Sequence, residues 1–321
     1  METLPRGAQF VRSRMLWEIA LGVAGDPSIP YYANRDVAIY IGNGSGEEFK
    51  PSLRMAPGSP ILSKGIVKGD LDAAFVNPSA LLTQAYRGTG LYEGAPLPVR
   101  VIASFPSWDR FVILVKPGLG ITSLADVKNN RMPLRISTRE DTTHSTRVLL
   151  GQLLPMYGFT LEDIEPWGGS IQLNGPPNDP RRMAEIREGT LDIVFDEGVP
   201  AWLDVAVEHG YKPLELEAGI MQQMLDIGWR KVILPKSVFK GLDRDYETID
   251  YSGWPLYTRE SLPDEVAYSM CAAIGARADE IKWEDGAYTG LDQIGRDTES
   301  TPLDVPLHPG AERWYKEQGY L

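Results

Sequence analysis

Short apolar runs that end in polar turns alternate with helix-like stretches along nearly the whole chain, and this alternation limits the fold more than any other feature. VAIYIG (37–42), SLRMA (52–56), LDAAFVN (71–77), VRVIASF (99–105), FVILVKPG (111–118), PLRIST (133–138), LDIVFDEG (191–198) and WRKVILP (229–235) read as strands. A helix over 60–68 follows Gly58-Ser59-Pro60, and ALLTQAYRG (80–88) opens after Pro78-Ser79 and ends on Gly88. ITSLADVK (121–128) is capped near Thr122 or Ser123. THSTRVLLGQLLPMYGF (143–159), MAEIREG (183–189), AWLDVAVEHG (201–210) and DEVAYSMCAAIGARADEI (264–281) complete the helices. Strand–helix alternation predicts an α/β fold with mostly parallel sheets. The 25 Pro and 32 Gly are spread as punctuation between elements and form no low-complexity linker.

Charge and ligand chemistry then remove whole classes of function. A net charge of −12 leaves no basic excess to neutralise phosphates, so nucleic acid and anionic membrane surfaces are not expected partners. The single Cys271 excludes an internal disulfide and a Cys-based zinc cluster, and His144, His209 and His308 are too scattered for a metal site. No cofactor is expected. No run approaches the ~18 apolar residues of a membrane helix. Arg6, Arg12 and Arg14 precede MLWEIALGVAG as in a secretory leader, but Glu18 interrupts the apolar run and no cleavage pattern follows. The segment reads as an amphipathic helix over 13–22 with Phe10, Trp17, Ile19 and Leu21 meeting the core. On the sequence as written, the expected location is cytoplasmic.

DLDAAFVNPS (70–79) and TLDIVFDEGVP (190–200) follow one plan: Leu-Asp, an apolar strand, a polar strand end. In α/β sheets the carboxyl ends of strands face the ligand crevice. Asn77 and Ser79 from one half and Asp196 and Glu197 from the other would then line one cleft. The alternative is two ordinary strand-to-helix turns, where Asn and Asp are favoured for local reasons.

The C-terminal VPLHPGAERWYKEQGYL (305–321) resembles the signature of the TAXI family of TRAP-transporter solute receptors. KGDLDAAFVNPSALLTQAYRGTGLY (68–92), PVRVIASFPSWDRFVILVKPGLGITSLADVKNNRMPLRIS (98–137) and REGTLDIVFDEGVPAWLDVAVEHGYKPLEL (187–216) are similar to that family in order and kind. The resemblance implies a periplasmic-binding-protein-like (type II) fold: two lobes, two mixed sheets flanked by helices, and a central cleft. It implies crossings between lobes near 108–115 and 214–227, giving a discontinuous first lobe (1–110 plus 225–321) and a second lobe (111–224). It also implies an exported monomer that delivers a small organic acid or amino acid to a TRAP-type permease. The front of the chain departs from the family pattern, with only Tyr31-Tyr32 standing in for part of its first loop.

Candidate contacts follow from residue chemistry. In STREDTTHSTRVLL (137–150) a helix N-terminus suits a carboxylate, Arg139 adds a bidentate fork, and His144, Ser145 and Thr146 add polar groups. Ser59 offers a similar helix start in the first half. Trp108 would close over a ligand, Arg110 is a further candidate contact, and Asp109 and Arg110 could pair as a hinge device. Trp167 with Gly168 would let backbone approach a ligand. Asp196 and Glu197 would accept a ligand ammonium, or pair with Arg139 in the empty state. His308 reads as a structural group fixing the last helix, Cys271 as core, and Trp254 as a second cleft candidate. A small anionic or zwitterionic solute bound without chemistry is the first reading. The second is a cytoplasmic enzyme or ligand sensor on the same two-lobed fold, since fold does not fix function.

Overall fold

The computed structural model describes residues 8–24, 26, 28, 37–42, 51–56 and 62–321. Ser59 and Tyr31-Tyr32 lie outside them. Two mixed sheets flanked by helices form the framework, as the resemblance implied. The first contains β1 (Ile39–Gly42), β2 (Pro51–Ala56), β3 (Ala73–Phe75), β4 (Val99–Phe105) and β12 (Trp254–Arg259), in the order β1-β2-β3-β12-β4. The second contains β5 (Arg110–Val115), β6 (Arg135–Arg139), β7 (Ser170–Asn174), β8 (Ile193–Asp196), β10 (Lys231–Leu234) and β11 (Tyr246–Asp250), in the order β10-β11-β5-β8-β6-β7, with β9 (Lys212–Pro213) beside β5.

Parallel pairing does not dominate. Only β2–β3, β6–β7 and β6–β8 run parallel among these strand pairs. The reason is topological: β5 and β12 each begin where the chain has just crossed from the other sheet. Each therefore runs away from the crossing, against neighbours whose carboxyl ends point towards it. Strand membership also moves the return crossing. Since β10 and β11 belong to the second sheet, the chain goes back to the first sheet between Asp250 and Trp254, not near 225.

Local signals explain the helices that support the sheets. Ser123 caps α4 (Leu124–Asn130) by accepting from Ala125 N at 2.9 Å, and Asp126 reaches back to Ser123 N, forming a capping box. α5 (Ser145–Met156) buries Leu149, Leu150, Leu153 and Leu154 against Ile136 of β6 in the main apolar core. α3 (Ser79–Arg87) buries its first seven residues and stops at Gly88 in the left-handed conformation. α9 (Asp264–Ala276) packs with α10 (Pro309–Glu317) and β4 around Cys271, Trp314 and Tyr315.

The N-terminal helix contradicts its expected packing. It spans Ala8–Ala24, yet Ile19 is 63% and Leu21 42% exposed, and Met15, Leu16 and Val23 also face out. Trp17, Ile19, Leu21 and Val23 are two residues apart, and steps of two carry successive side chains to opposite sides of a helix, so no single stripe forms.

The C-terminal signature is a packing device. His308 N donates to Val101 O at 2.8 Å, and His308 Nδ1 accepts from Gly310 N at 3.3 Å, capping α10. Pro309 fills the first helical position. A Cβ on Gly310 would lie 2.0 Å from the Asp264 carbonyl oxygen, so α10 meets the start of α9 at a distance only glycine permits. Gly310→Ala is expected to destabilise the protein by about 1–3 kcal/mol through this overpacking. A urea midpoint equal to that of the parent would contradict the contact.

Candidate functional site

The two crossing segments, 106–109 and 251–253, run side by side. Tyr251 N donates to Asp109 O at 3.1 Å and Gly253 N to Ser107 O at 3.0 Å. Arg110 is buried beneath them. Its guanidinium donates to Asp250 Oδ1 (3.2 Å), Ser252 Oγ (2.8 Å), the Asp109 and Ile233 carbonyls and Glu299, and stacks over Trp108 at 4.3 Å. Arg110 thus organises the crossing and does not line the cleft, in contrast to its expected ligand contact. Burial pulls its own affinity for the proton down and pushes the Asp250 carboxyl up.

Asp109 and Arg110 do not form a side-chain pair. The Asp109 carboxylate instead reaches across to the second sheet, accepting from Gly198 N at 2.8 Å and Val199 N at 3.1 Å. Burial, then the neighbouring Glu197, push its pKa well above the usual carboxylate range. From the first sheet, Asn77 at the end of β3 donates to the Tyr251 and Gly253 carbonyls at 3.2 and 3.4 Å.

Around these residues lies a cleft of about 670 Å³ whose walls include Asn77 and Trp254 from the first half, Trp108 and Asp109 from the crossing, and Glu197 and Gly198 from the second half. Glu284 and Asp285, which follow α9, close another side. The strand-end rule therefore brings Asn77 and Glu197 to one cavity. Asp196 is not on it. That side chain is fully buried and bridges Arg139 (Nε to Oδ1, 2.7 Å) and Arg182. Ser79 is buried at the start of α3, where its carbonyl accepts from Thr83, so it supports the turn and does not reach the cavity.

Arg139 is not free for a ligand. It is 2% exposed and donates to Asp196, Glu197 and the Gly175 carbonyl. Asp196 and Glu197 both pair with it. Next to it, His144 caps α5 with Nδ1 accepting from Thr146 N at 3.2 Å, while Nε2 lies 3.8 Å from Glu197. Burial and the Arg139 charge lower the pKa of His144. Ser145 and Thr146 form the first turn. The Tyr251 hydroxyl comes to Ser145 and Thr146 from the crossing, near Glu197, and burial pushes its pKa well up. Tyr251 and Thr146 are fully buried and meet each other there, while Thr138 Oγ1, on the α5-facing side of β6, is buried with no hydrogen-bond partner.

Trp167 and Gly168 are elsewhere. They precede β7, whose first residue Ser170 pairs with Arg135 at the start of β6, the end remote from Arg139. Trp167 packs on Phe159 and under Lys128, and Gly168 faces Pro133. A strand's amino end cannot face a cleft formed at carboxyl ends. Sequence reasoning missed Tyr251, Thr138, Glu284 and Asp285. The turn-like SGWP (252–255), which follows Tyr251, is the only signal; the other three have none.

Among the described residues no group of three or more His, Cys, Asp or Glu side chains is placed to hold a metal ion, and no helix is long and apolar enough to cross a membrane.

Residues 56–319 match the profile of the NMT1-like family. Solved structures are similar at a lower level. One described as a periplasmic transporter is 11% identical over 77% of this chain and 73% of its own, with a TM-score of 0.35. The alkanesulfonate-binding protein from Xanthomonas axonopodis pv. citri bound to MOPS is 14% identical over 70% of this chain and 82% of its own, with a TM-score of 0.29. The L-cystine solute receptor of Neisseria gonorrhoeae is 14% identical over 68% of this chain and 66% of its own, with a TM-score of 0.26.

Proposed function

Because the chain belongs to the NMT1-like family, we propose that it is a solute-binding protein that captures a small organic acid or amino acid between its two sheets and hands it to a membrane permease. The family and the matched structures are binding proteins and not enzymes. The observation that carries the reading is the cluster of buried hydroxyls at the N-terminus of α5, where Tyr251 meets Ser145 and Thr146 and Thr138 Oγ1 beside them has no hydrogen-bond partner. Unpaired polar groups inside a protein are costly, and a helix start offers N–H donors and a partial positive charge. An acid group of the solute would accept from these hydroxyls and from the helix N–H groups. The lobes would be 37–109 with 251–321, and 110–250, moving about the paired crossing segments as a hinge. The C-terminal signature supports a TRAP-type permease as the partner.

Native mass spectrometry of freshly purified protein, followed by denaturing extraction, tests this. A stoichiometric small solute is expected, and adding it back at 100 times its Kd should stabilise the fold by about 2.7 kcal/mol. Tyr251→Phe and Thr146→Val keep the shape and remove one hydroxyl each, so each should weaken retention. Retention unchanged in both variants would remove the α5 site. A solute released with a different mass would mean turnover and overturn the binding reading.

A further inference from the structure

A seam of polar contacts joins the two halves of the molecule. The second half contributes Gln152 of α5 and the turn 227–230, which follows α8 (Ala218–Asp226). The first half contributes α3, the turn after it, and the segment 297–304. Gln84 and Gln152 exchange amide hydrogen bonds at 3.2 and 2.9 Å, and Thr89 Oγ1 donates to the Ile227 carbonyl at 2.7 Å. A Cβ on Gly228 would lie 3.3 Å from Thr83 and 3.2 Å from Gln84, so the turn lies directly on α3. Arg230 completes the seam. Its guanidinium grips Asp304 with two hydrogen bonds, Nε to Oδ2 at 2.7 Å and Nη2 to Oδ1 at 2.8 Å, and Nη1 donates to Asp297 Oδ1 at 2.8 Å. Both ends are anchored. The Arg230 carbonyl accepts from Asp250 N at 2.9 Å, and Val101 N of β4 donates to the Pro306 carbonyl, two residues past Asp304, at 3.0 Å.

Resting on the solute-binding reading, we propose that Arg230 is a clasp that holds the halves shut over the start of α5, and that its release from Asp304 and Asp297 opens that site. Thr138, Thr146 and Tyr251 are fully buried, so a solute reaches them only when the halves part. Parting the halves breaks the seam. The bonds of Gln84, Gln152 and Thr89 are between neutral groups, whereas a guanidinium fork on a carboxylate is about twice as strong. Arg230 therefore carries the largest polar share of closure although its partners lie outside the proposed site. Its side chain is 25% exposed, with Asp304 23% and Asp297 56%, so dissolved ions reach the clasp while they leave the neutral contacts unchanged.

Spin labels on either side of the seam read its closure directly. Glu93→Cys and Gln223→Cys place them at exposed positions flanking the Thr89–Ile227 contact, and the native Cys271 is fully buried and does not compete for label. Double electron–electron resonance on the full chain at low salt should give one narrow distance. Arg230→Gln should raise the population at longer distances by about tenfold, and Asp304→Asn should act in the same direction. Sodium chloride at 1 M, where the screening length is about 3 Å, should do the same to the labelled chain with Arg230 in place, and decides alone if the substituted chains do not fold. A distribution unchanged by both substitution and salt, or one already broad at low salt, would overturn the clasp. The labels report without solute, so the two readings fail separately: a widened distribution in protein that retains no solute would support the clasp and count against the solute-binding reading alone.

Discussion

Asp196→Ala is expected to destabilise the protein by about 3–5 kcal/mol, enough to leave much of it unfolded at 37 °C. The Asp196 carboxylate is fully buried and accepts from two buried arginines, Arg139 and Arg182. Arg182 has Ser137 Oγ at 2.8 Å and the Pro177 carbonyl at 3.0 Å as further partners, and Arg139 keeps Glu197 and the Gly175 carbonyl. None of these replaces the shared counter-charge. Taking it away leaves two guanidiniums out of water with one carboxylate between them, and desolvation outweighs what the remaining hydrogen bonds return. Chemical denaturation of the purified variant measures the loss. A loss under 1 kcal/mol would mean that water reaches the pair and that the network is not the dry one described.

The second large effect is expected at the crossing. Arg110→Met keeps most of the buried volume and removes the charge, and should also cost about 3–5 kcal/mol. It strands Asp250, which then retains only the Ser252 hydrogen bonds within a buried site. The diagnostic is the double variant Arg110→Met/Asp250→Asn. If the ion pair dominates, the second substitution recovers about 1–3 kcal/mol, a coupling that independent sites would not show. Strictly additive losses would assign the role of Arg110 to the Ile233 carbonyl and Trp108 instead.

Much of this organisation is readable from the chain. The run VRVIASF coincides with β4, because seven buried or half-buried residues between two prolines leave a strand no other bounds. The Ser123 cap and its Asp126 partner follow from local spacing alone. Asn77 and Glu197 reach the same cleft because strand polarity, a rule of topology, governs where strand ends go. What was not legible depends on distant pairing. β12 begins inside an apparent turn and contains Pro255, yet it is an interior strand between β3 and β4, its pairing fixed by residues far away in sequence. Pro255 is tolerated there because its carbonyl still accepts from Val76 N at 3.2 Å. Arg139 looks like a free ligand fork from its position at the end of β6, and only the fold brings Asp196 and Glu197 against it. The helix Ala8–Ala24 exposes Ile19 and Leu21 because residues spaced two apart cannot share the one face that an amphipathic helix needs.

The position of β12 has a consequence for the order in which a ribosome can deliver this fold. β3 and β4 emerge early, but each has an edge that only β12 fills, and the whole second sheet is synthesised in between. At about 5–20 residues per second, those edges wait on the order of ten seconds for their partner. During that interval the nascent chain carries two open strand edges rich in Ala and Val, the kind of surface that holdase chaperones cover and that pairs wrongly with other chains. The second sheet, whose strands all lie between Arg110 and Asp250, has every one of its strands synthesised before β12 is made.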